Sequence, residues 1–223
     1  MPTLLLASAS PARRTLLQAA GIDALVSVSG VDEDAVLADA RERFGPLEPA
    51  DQVLVLAQAK ASAVADALAS QDPELAPSEV PSGELLVLGC DSMLELDGDV
   101  VGKPADAAEA RRRWRAMRGR TGILHTGHWL VDVRDPEHGG SGGTLGAASS
   151  TRVHFADVTD AEIDAYVASG EPLAVAGAFT IDGLGGPFVD GIDGDPHTVV
   201  GLSLPLLREL LRSVGVAITD LWR

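Results

Sequence analysis

The stretch Leu85-Leu86-Val87-Leu88-Gly89-Cys90-Asp91-Ser92-Met93-Leu94-Glu95-Leu96-Asp97-Gly98-Asp99-Val100-Val101 decides the fold class. Residues 85–89 form a continuous apolar run, the pattern of a strand buried on both faces. Asp91-Ser92 is expected to break it. Residues 93–96 and 100–101 then flank Asp97-Gly98, a dipeptide suited to a tight hairpin turn because both positions tolerate positive φ. A buried strand followed at once by a hairpin implies a sheet with parallel and antiparallel pairs.

Outward from this stretch, strands and helices alternate. Residues 3–7 read as a short buried strand. Ser10 caps a helix begun by Pro11 and closed by Gly21. Residues 53–68 carry Val53, Leu56, Ala57, Ala61, Val64 and Leu68 at helical spacing. Asp106 with Glu109, and Thr159 with Glu162, are spaced as capping boxes. Residues 123–133 and 150–155 read as paired strands, residues 188–192 as another, and Ser203-Leu204-Pro205 opens a last helix. Exposed loops are expected near 70–84, where three prolines fall, and near 134–149, around Gly139-Gly140-Ser141-Gly142-Gly143. The fold class is α/β with a mixed sheet, in one domain spanning 1–223.

Composition narrows the function. The chain has 223 residues, 17 Lys+Arg and 33 Asp+Glu, a net charge of 17 − 33 = −16. An apolar fraction of 46% excludes general disorder. A chain of this length buries roughly 70% of its unfolded surface. The acidity argues against a nucleic-acid polymer as partner, yet leaves room for a small anion in a local basic pocket. No run approaches the roughly 18 apolar residues of a spanning helix, so no membrane is expected. The opening residues read as an intact start without a basic n-region, and the one cysteine, Cys90, suits a reducing compartment; a cytoplasmic location is expected.

Four segments can carry chemistry. Ser8-Ala9-Ser10-Pro11-Ala12-Arg13-Arg14 puts hydroxyls and guanidinium groups at a helix start, either an anion site or a capped surface helix. Asp91 emerges from an apolar strand, either as a metal ligand and proton acceptor or as a turn-fixing acid. Lys103 in Gly102-Lys103-Pro104 can face a phosphate or solvent; the loop is too short for a Walker A site, and Pro104 replaces its Ser/Thr. Lys60 falls on the apolar side of its helix, lining a site or reaching out to solvent. Residues 139–143 spell G-x-S-x-G without the strand-to-helix elbow. His125 and His128 lack a third zinc ligand and point to opposite faces of a strand. Asp190, Asp193 and Asp195 lack EF-hand spacing. The run of Arg111, Arg112, Arg113, Arg115, Arg118 and Arg120 reads as a solvated helix end complementing the dipole.

The order of these pieces resembles the Maf family of nucleoside triphosphate pyrophosphatases, also called septum formation inhibitor proteins, from Leu4 to about Leu211. The family's S-x-S-P-R-R opening is matched by residues 8–14, its early acidic element by Gly30-Val31-Asp32-Glu33 and its A-x-x-K-A by Ala57-Gln58-Ala59-Lys60-Ala61. Its G-A-D-T is Gly89-Cys90-Asp91-Ser92, and its K-P is Lys103-Pro104. Its late block is matched by residues 166–172, Ala176-Gly177-Ala178-Phe179, Gly183-Leu184-Gly185-Gly186 and Val199-Val200-Gly201-Leu202.

The resemblance implies an inosine-triphosphatase-like fold, an elongated mixed sheet flanked by helices with two lobes around a deep cleft. It implies hydrolysis of a nucleoside triphosphate to the monophosphate and pyrophosphate, with a divalent cation, magnesium or manganese. Asp91 matches the catalytic acid; Ser8, Ser10, Arg13, Lys60 and Lys103 match residues around the phosphates; Glu33 and Asp91 are the metal candidates. Three positions tied to base choice in the pyrimidine-specific branch depart from it: Ala12 stands for Arg, Ser92 for Thr and Asp182 for Gln. The histidine often found after the G-[RQ]-T element is also missing, since Gly122 follows Thr121. Strict dTTP/UTP preference is therefore not expected. The rivals are a nucleotide-binding regulator of cell division with little hydrolysis, and an enzyme that removes the γ-phosphate. A homodimer is the assembly left open.

Overall fold

The computed structural model of the protein describes residues 1–72 and 83–223. Most of the loop expected at 70–84 therefore lies outside the described residues. Seven strands form one mixed sheet: β1 Thr3–Ala7, β2 Leu25–Val26, β3 Leu85–Leu96, β4 Asp99–Val101, β5 Thr121–Asp132, β6 Thr144–Phe155 and β7 Val189–Asp193. The order is β2-β1-β3-β5-β6-β7, with β4 on the outer edge of β3. β1 is parallel to β2 and β3, and every other pair is antiparallel.

The helices are α1 Pro11–Ala19, α2 Glu33–Phe44, α3 Pro49–Ser70, α4 Ala107–Met117, α5 Asp160–Ala168, α6 Pro196–Val200 and α7 Leu204–Ser213. Alternation along the strands sets the layers. Leu4, Leu6, Leu86 and Leu88 pack with α1 and α7 through Leu17, Leu207 and Leu211. Leu5 and Val87 point the other way, onto Ala61 and Val64 of α3. Farther along the same strands, Leu94, Leu124 and Phe155 form a second apolar centre with Trp114 of α4 and Tyr166 of α5. Trp114 meets Phe155, Tyr166 and Phe188 edge-on, and its indole N–H donates to the Ala178 carbonyl at 2.7 Å.

Three expectations are corrected. Asp91 and Ser92 do not break their strand, for β3 is continuous over 12 residues. β5 pairs with it from Leu86↔Asp132 to Glu95↔Ile123, which satisfies that edge throughout. β6 begins at Thr144 rather than 150, so the loop narrows to residues 133–143. Its first half, rich in Gly, Ala and Ser, has weak strand propensity but pairs with β5 from Val131↔Thr144 onward. The Trp129 ring covers Gly146 so closely that a Cβ there would sit 2.2 Å from it. The third concerns the Asp106–Glu109 box. Asp106 caps Glu109 N, but Glu109 reaches back to Ala105 N instead of Asp106 N.

The Thr159–Glu162 box and the Asp97-Gly98 turn form as expected; Asp97 and Gly98 take φ of 55° and 88°. α2 was not legible, because only Leu37 and Ala40 of its 12 residues are buried. α3, at 22 residues, is the one described helix long and apolar enough to cross a membrane by length and composition, although the sequence shows no unbroken apolar run. Here its apolar face lies on β3 and β5.

Candidate active site

On its outer edge β3 pairs with β1 as far as Ala7↔Gly89, and β4 takes over only at Leu94↔Val101. Residues 90–93 thus have a strand neighbour on one side alone. The gap lies just past the C-terminal end of β1, the kind of place where open α/β sheets bind ligands. Asp91 and Ser92 occupy it.

Two glycines bring α3 against Asp91. A Cβ on Gly89 would lie 2.1 Å from the Ala57 carbonyl oxygen, and one on Gly127 would lie 2.2 Å from that of Val53. The helix backbone therefore rests directly on β3 and β5. Lys60, three residues beyond Ala57, turns inward rather than extending into solvent. Its Nζ donates to Asp91 Oδ1 at 2.6 Å and pairs with Glu33 Oε1 at 2.6 Å. The Lys60 and Asp91 side chains are 12% and 10% exposed, against 50% for Glu33, the first residue of α2. Burial pushes the Asp91 carboxyl above the usual carboxylate range, and Lys60 and Arg13 only partly pull it back.

Arg13 lies across the gap, buried. Its Nε donates to the Gly201 carbonyl (2.7 Å), Nη1 to Ser8 Oγ (2.9 Å) and the Cys90 carbonyl (2.8 Å), and Nη2 to Ser92 Oγ (3.0 Å). Among the described residues no carboxylate lies within 4.0 Å of it. A buried guanidinium met only by neutral acceptors favours an anion nearby. Four of its five N–H donors are engaged, leaving one on Nη2. Ser8 Oγ also accepts from Ser10 N (3.2 Å), and Ser10 Oγ caps α1 by accepting from Arg13 N. Ser92 continues to Thr126 Oγ1 (2.9 Å), which donates to the Thr198 carbonyl (2.8 Å). Thr126 and Thr198 were missed from sequence, and Gly201 was read only as part of the late block, since no local spacing links any of them to Arg13.

Lys103 follows β4, its side chain exposed and without an ion pair among the described residues. The base-choice positions separate. Ala12 is half-buried in the first turn of α1, and Ser92 is tied into the Arg13 network. Asp182 is exposed in a loop farther along the chain, and no hydrogen bond or ion pair joins it to the other candidates among the described residues. That loop is anchored by Glu171, also missed. Its carboxylate accepts from Thr180 Oγ1 (2.6 Å), Tyr166 Oη (2.9 Å), Leu184 N (2.9 Å) and Gly185 N (3.0 Å). Burial opposes its ionisation, but these four donors hold it below the usual range.

Other titratable groups are absorbed by the fold. His125 bonds Ser150 and Glu95, while His128 faces the opposite side, between the Thr126 carbonyl and Ser203 N. Burial pushes His128 down to about 4, so it stays neutral. Burial pushes the Cys90 thiol up to about 12. The arginine run of α4 is mostly paired rather than merely solvated: Arg111 with Asp164, Arg118 with Asp160, Arg113 with Glu109 and Arg120 with Asp97. No group of three or more His, Cys, Asp or Glu able to hold a metal occurs among the described residues.

The Maf-like protein family matches residues 3–214. Over 219 residues the chain is 56% identical to a nucleoside triphosphate pyrophosphatase of Salinispora tropica, covering 98% of this chain and 87% of that protein. It is 54% identical to proteins of the same name from Leifsonia xyli and Streptomyces coelicolor, again over 98% of this chain and over 96% and 94% of theirs.

Proposed function

The chain belongs to the Maf-like family, and from that premise we propose that it hydrolyses nucleoside triphosphates to the monophosphate and pyrophosphate at the Asp91 gap. One observation carries the reading. A buried carboxylate with a raised proton affinity sits on Lys60, beside a buried guanidinium that has no carboxylate partner among the described residues.

In this reading the triphosphate lies along the gap, and Lys60, Lys103 and the free N–H of Arg13 neutralise it locally within an acidic protein. The Ser8 and Ser10 hydroxyls bond phosphate oxygens. Asp91 takes a proton from the water that attacks the α-phosphorus. The α-phosphorus–oxygen bond to the β-phosphate breaks, and pyrophosphate leaves. A carboxylate made more basic by burial is better suited to this than an exposed one. Lys60 fixes the Asp91 carboxylate by holding Oδ1, with Glu33 holding the ammonium from its other side.

A divalent cation, magnesium or manganese, belongs to the proposal. The donor set fits: Glu33 and Asp91 are hard oxygen ligands, each with only one oxygen on Lys60, and such ions often use one or two carboxylates plus substrate phosphates. When bound, the ion supplies charge stabilisation to the phosphoryl oxygens. A cytoplasmic setting is part of the same reading, supported by a single, buried cysteine.

Incubating purified protein with dTTP, UTP, CTP and GTP, with separate pyrophosphate and orthophosphate readouts, tests the reading. One pyrophosphate per turnover is expected. Orthophosphate with a diphosphate product would assign γ-phosphate hydrolysis. Tight binding without turnover would favour the regulator.

A further inference from the structure

Lys103 has a long flexible stem and, among the described residues, no side-chain partner, so its usefulness toward a phosphate depends on how firmly its backbone is held. That backbone is gripped from one side by α4. Arg113 donates Nη1 to the Gly102 carbonyl at 2.6 Å and Nη2 to the Lys103 carbonyl at 3.4 Å. The same Nη2 pairs with Glu109 Oε1, one helical turn away. The other Glu109 oxygen accepts from Ala105 N at 2.7 Å. A single ion pair on α4 therefore binds backbone groups on both sides of the buried Pro104, which has no N–H of its own. The Gly102 carbonyl also accepts from Gly177 N at 3.0 Å. Arg113 and Glu109 are only 14% and 27% exposed. The other paired arginines of the run reach acids on α5 or in the hairpin; among the described residues Arg113 is the one bonded to the Gly102 and Lys103 carbonyls.

We propose that Arg113, held by Glu109, is a positioning residue for the triphosphate: it fixes the backbone that presents Lys103 and does not touch the substrate. The proposal rests on the reading above, in which Lys103 meets the phosphates.

A double-mutant cycle tests it, with KM and kcat measured for UTP and GTP and melting temperature followed alongside. Arg113→Ala is expected to raise KM for both nucleotides on the order of tenfold, the scale of one charge-assisted hydrogen bond, while kcat changes far less. In a Lys103→Ala background the same substitution should leave KM within about twofold, because residues acting as a unit are non-additive. The fall in melting temperature should be alike in both backgrounds. Arg113→Lys, which can still reach one carbonyl, should recover part of the KM loss. Glu109→Gln should raise KM in the same direction, and it carries the cycle if Arg113→Ala folds poorly. Independent, multiplying effects of Arg113→Ala and Lys103→Ala would overturn the proposal, as would a Lys103→Ala protein of normal KM. A parent protein that releases no pyrophosphate defeats the functional reading and takes this proposal with it. A parent that does, with an impaired Lys103→Ala and an additive cycle, defeats the positioning role alone.

Discussion

The gap at Asp91 and the loop that carries Asp182 are held by opposite means. At the gap, the charges of Lys60, Asp91 and Arg13 are largely buried and meet: Lys60 holds Asp91 on one side and the half-exposed Glu33 on the other, with Arg13 opposite. The loop is held by a carboxylate, Glu171, met entirely by neutral donors, and it leaves Asp182 in solvent. The first arrangement is stiff because α3 is seated on glycine notches, and a small displacement there removes the ion pair. The second leaves a side chain free to be exchanged without disturbing the frame. In the proposed reading the reaction belongs to the packed gap, while Asp182, one of the three base-choice candidates, stands in the tolerant loop.

The hardest test of that contrast is Asp91→Asn. Turnover should fall by roughly 10²–10⁴-fold, the range for a positioned general base, with an intact circular dichroism spectrum. A folded variant with near-normal turnover would falsify the role of Asp91. Gly89→Ala should come next. Its methyl must displace Ala57 by far more than a side chain can absorb, so we expect roughly 1–3 kcal/mol of lost stability from overpacking. Urea denaturation reads that loss. Because Lys60 moves with α3, turnover should fall in the fraction that remains folded; unchanged kcat would show that the notch does not set the Lys60–Asp91 contact.

Burial makes a third comparison, between two acids. The folded state raises the proton affinity of Asp91, so its stabilising contribution is full below the unfolded value near 3.8 and lost as pH rises through the folded value. Asp91→Asn should therefore be more stable than the parent at neutral pH, with the advantage vanishing in acid. Asp132 is the reverse. Burial opposes its ionisation, but hydrogen bonds from Arg134 and Ser141 hold it down to about 2. Its contribution is present above 3.8 and lost as pH falls toward 2. Asp132→Asn should lose stability at neutral pH. Melting curves of both variants from pH 3 to 8 check the signs, and parallel curves would contradict them. The kcat/KM profile of the parent should lose activity in acid at a pH above the ordinary Asp value.

Much of the gap was legible in sequence because its residues lie on motifs whose order is specific. Ser8, Arg13, Lys60 and Asp91 do converge, although they span some eighty positions. What was hidden depends on contacts between distant segments. The continuity of β3 through Asp91 is set by β5, a neighbour no local pattern announces. The small residues opening β6 read as loop until the Trp129 ring is seen to fill the space above Gly146. Arg113 was one of six arginines in a run, and nothing in its spacing sets it apart; only the Gly102 carbonyl does. Glu171 lies in the late block 166–172, but its anchoring role was hidden because its partners are backbone N–H groups and hydroxyls, not cations.

The smallest effect belongs to the loop. An aspartate carboxylate only accepts hydrogen bonds, whereas Gln donates and accepts. If Asp182 meets the base, it should favour the paired N1–H and N2 amine donors of guanine or the N4 amine of cytosine over uracil and thymine, whose single N3–H is flanked by two carbonyls that repel a carboxylate. Ala12 offers no side-chain donor to offset this. We therefore expect a broad or shifted preference in the parent rather than strict dTTP/UTP selectivity. Asp182→Gln should raise the ratio of kcat/KM for UTP over that for GTP by roughly 2–10-fold, the worth of one partly exposed hydrogen bond. Its melting temperature should stay at the parental value, since the side chain is exposed and Glu171 holds the loop from beneath. Adding Ala12→Arg should enlarge the shift only if both side chains reach the same nucleotide. An unchanged ratio in both variants would place Asp182 in solvent throughout turnover, and strong dTTP/UTP selectivity in the parent would remove the premise at the first measurement.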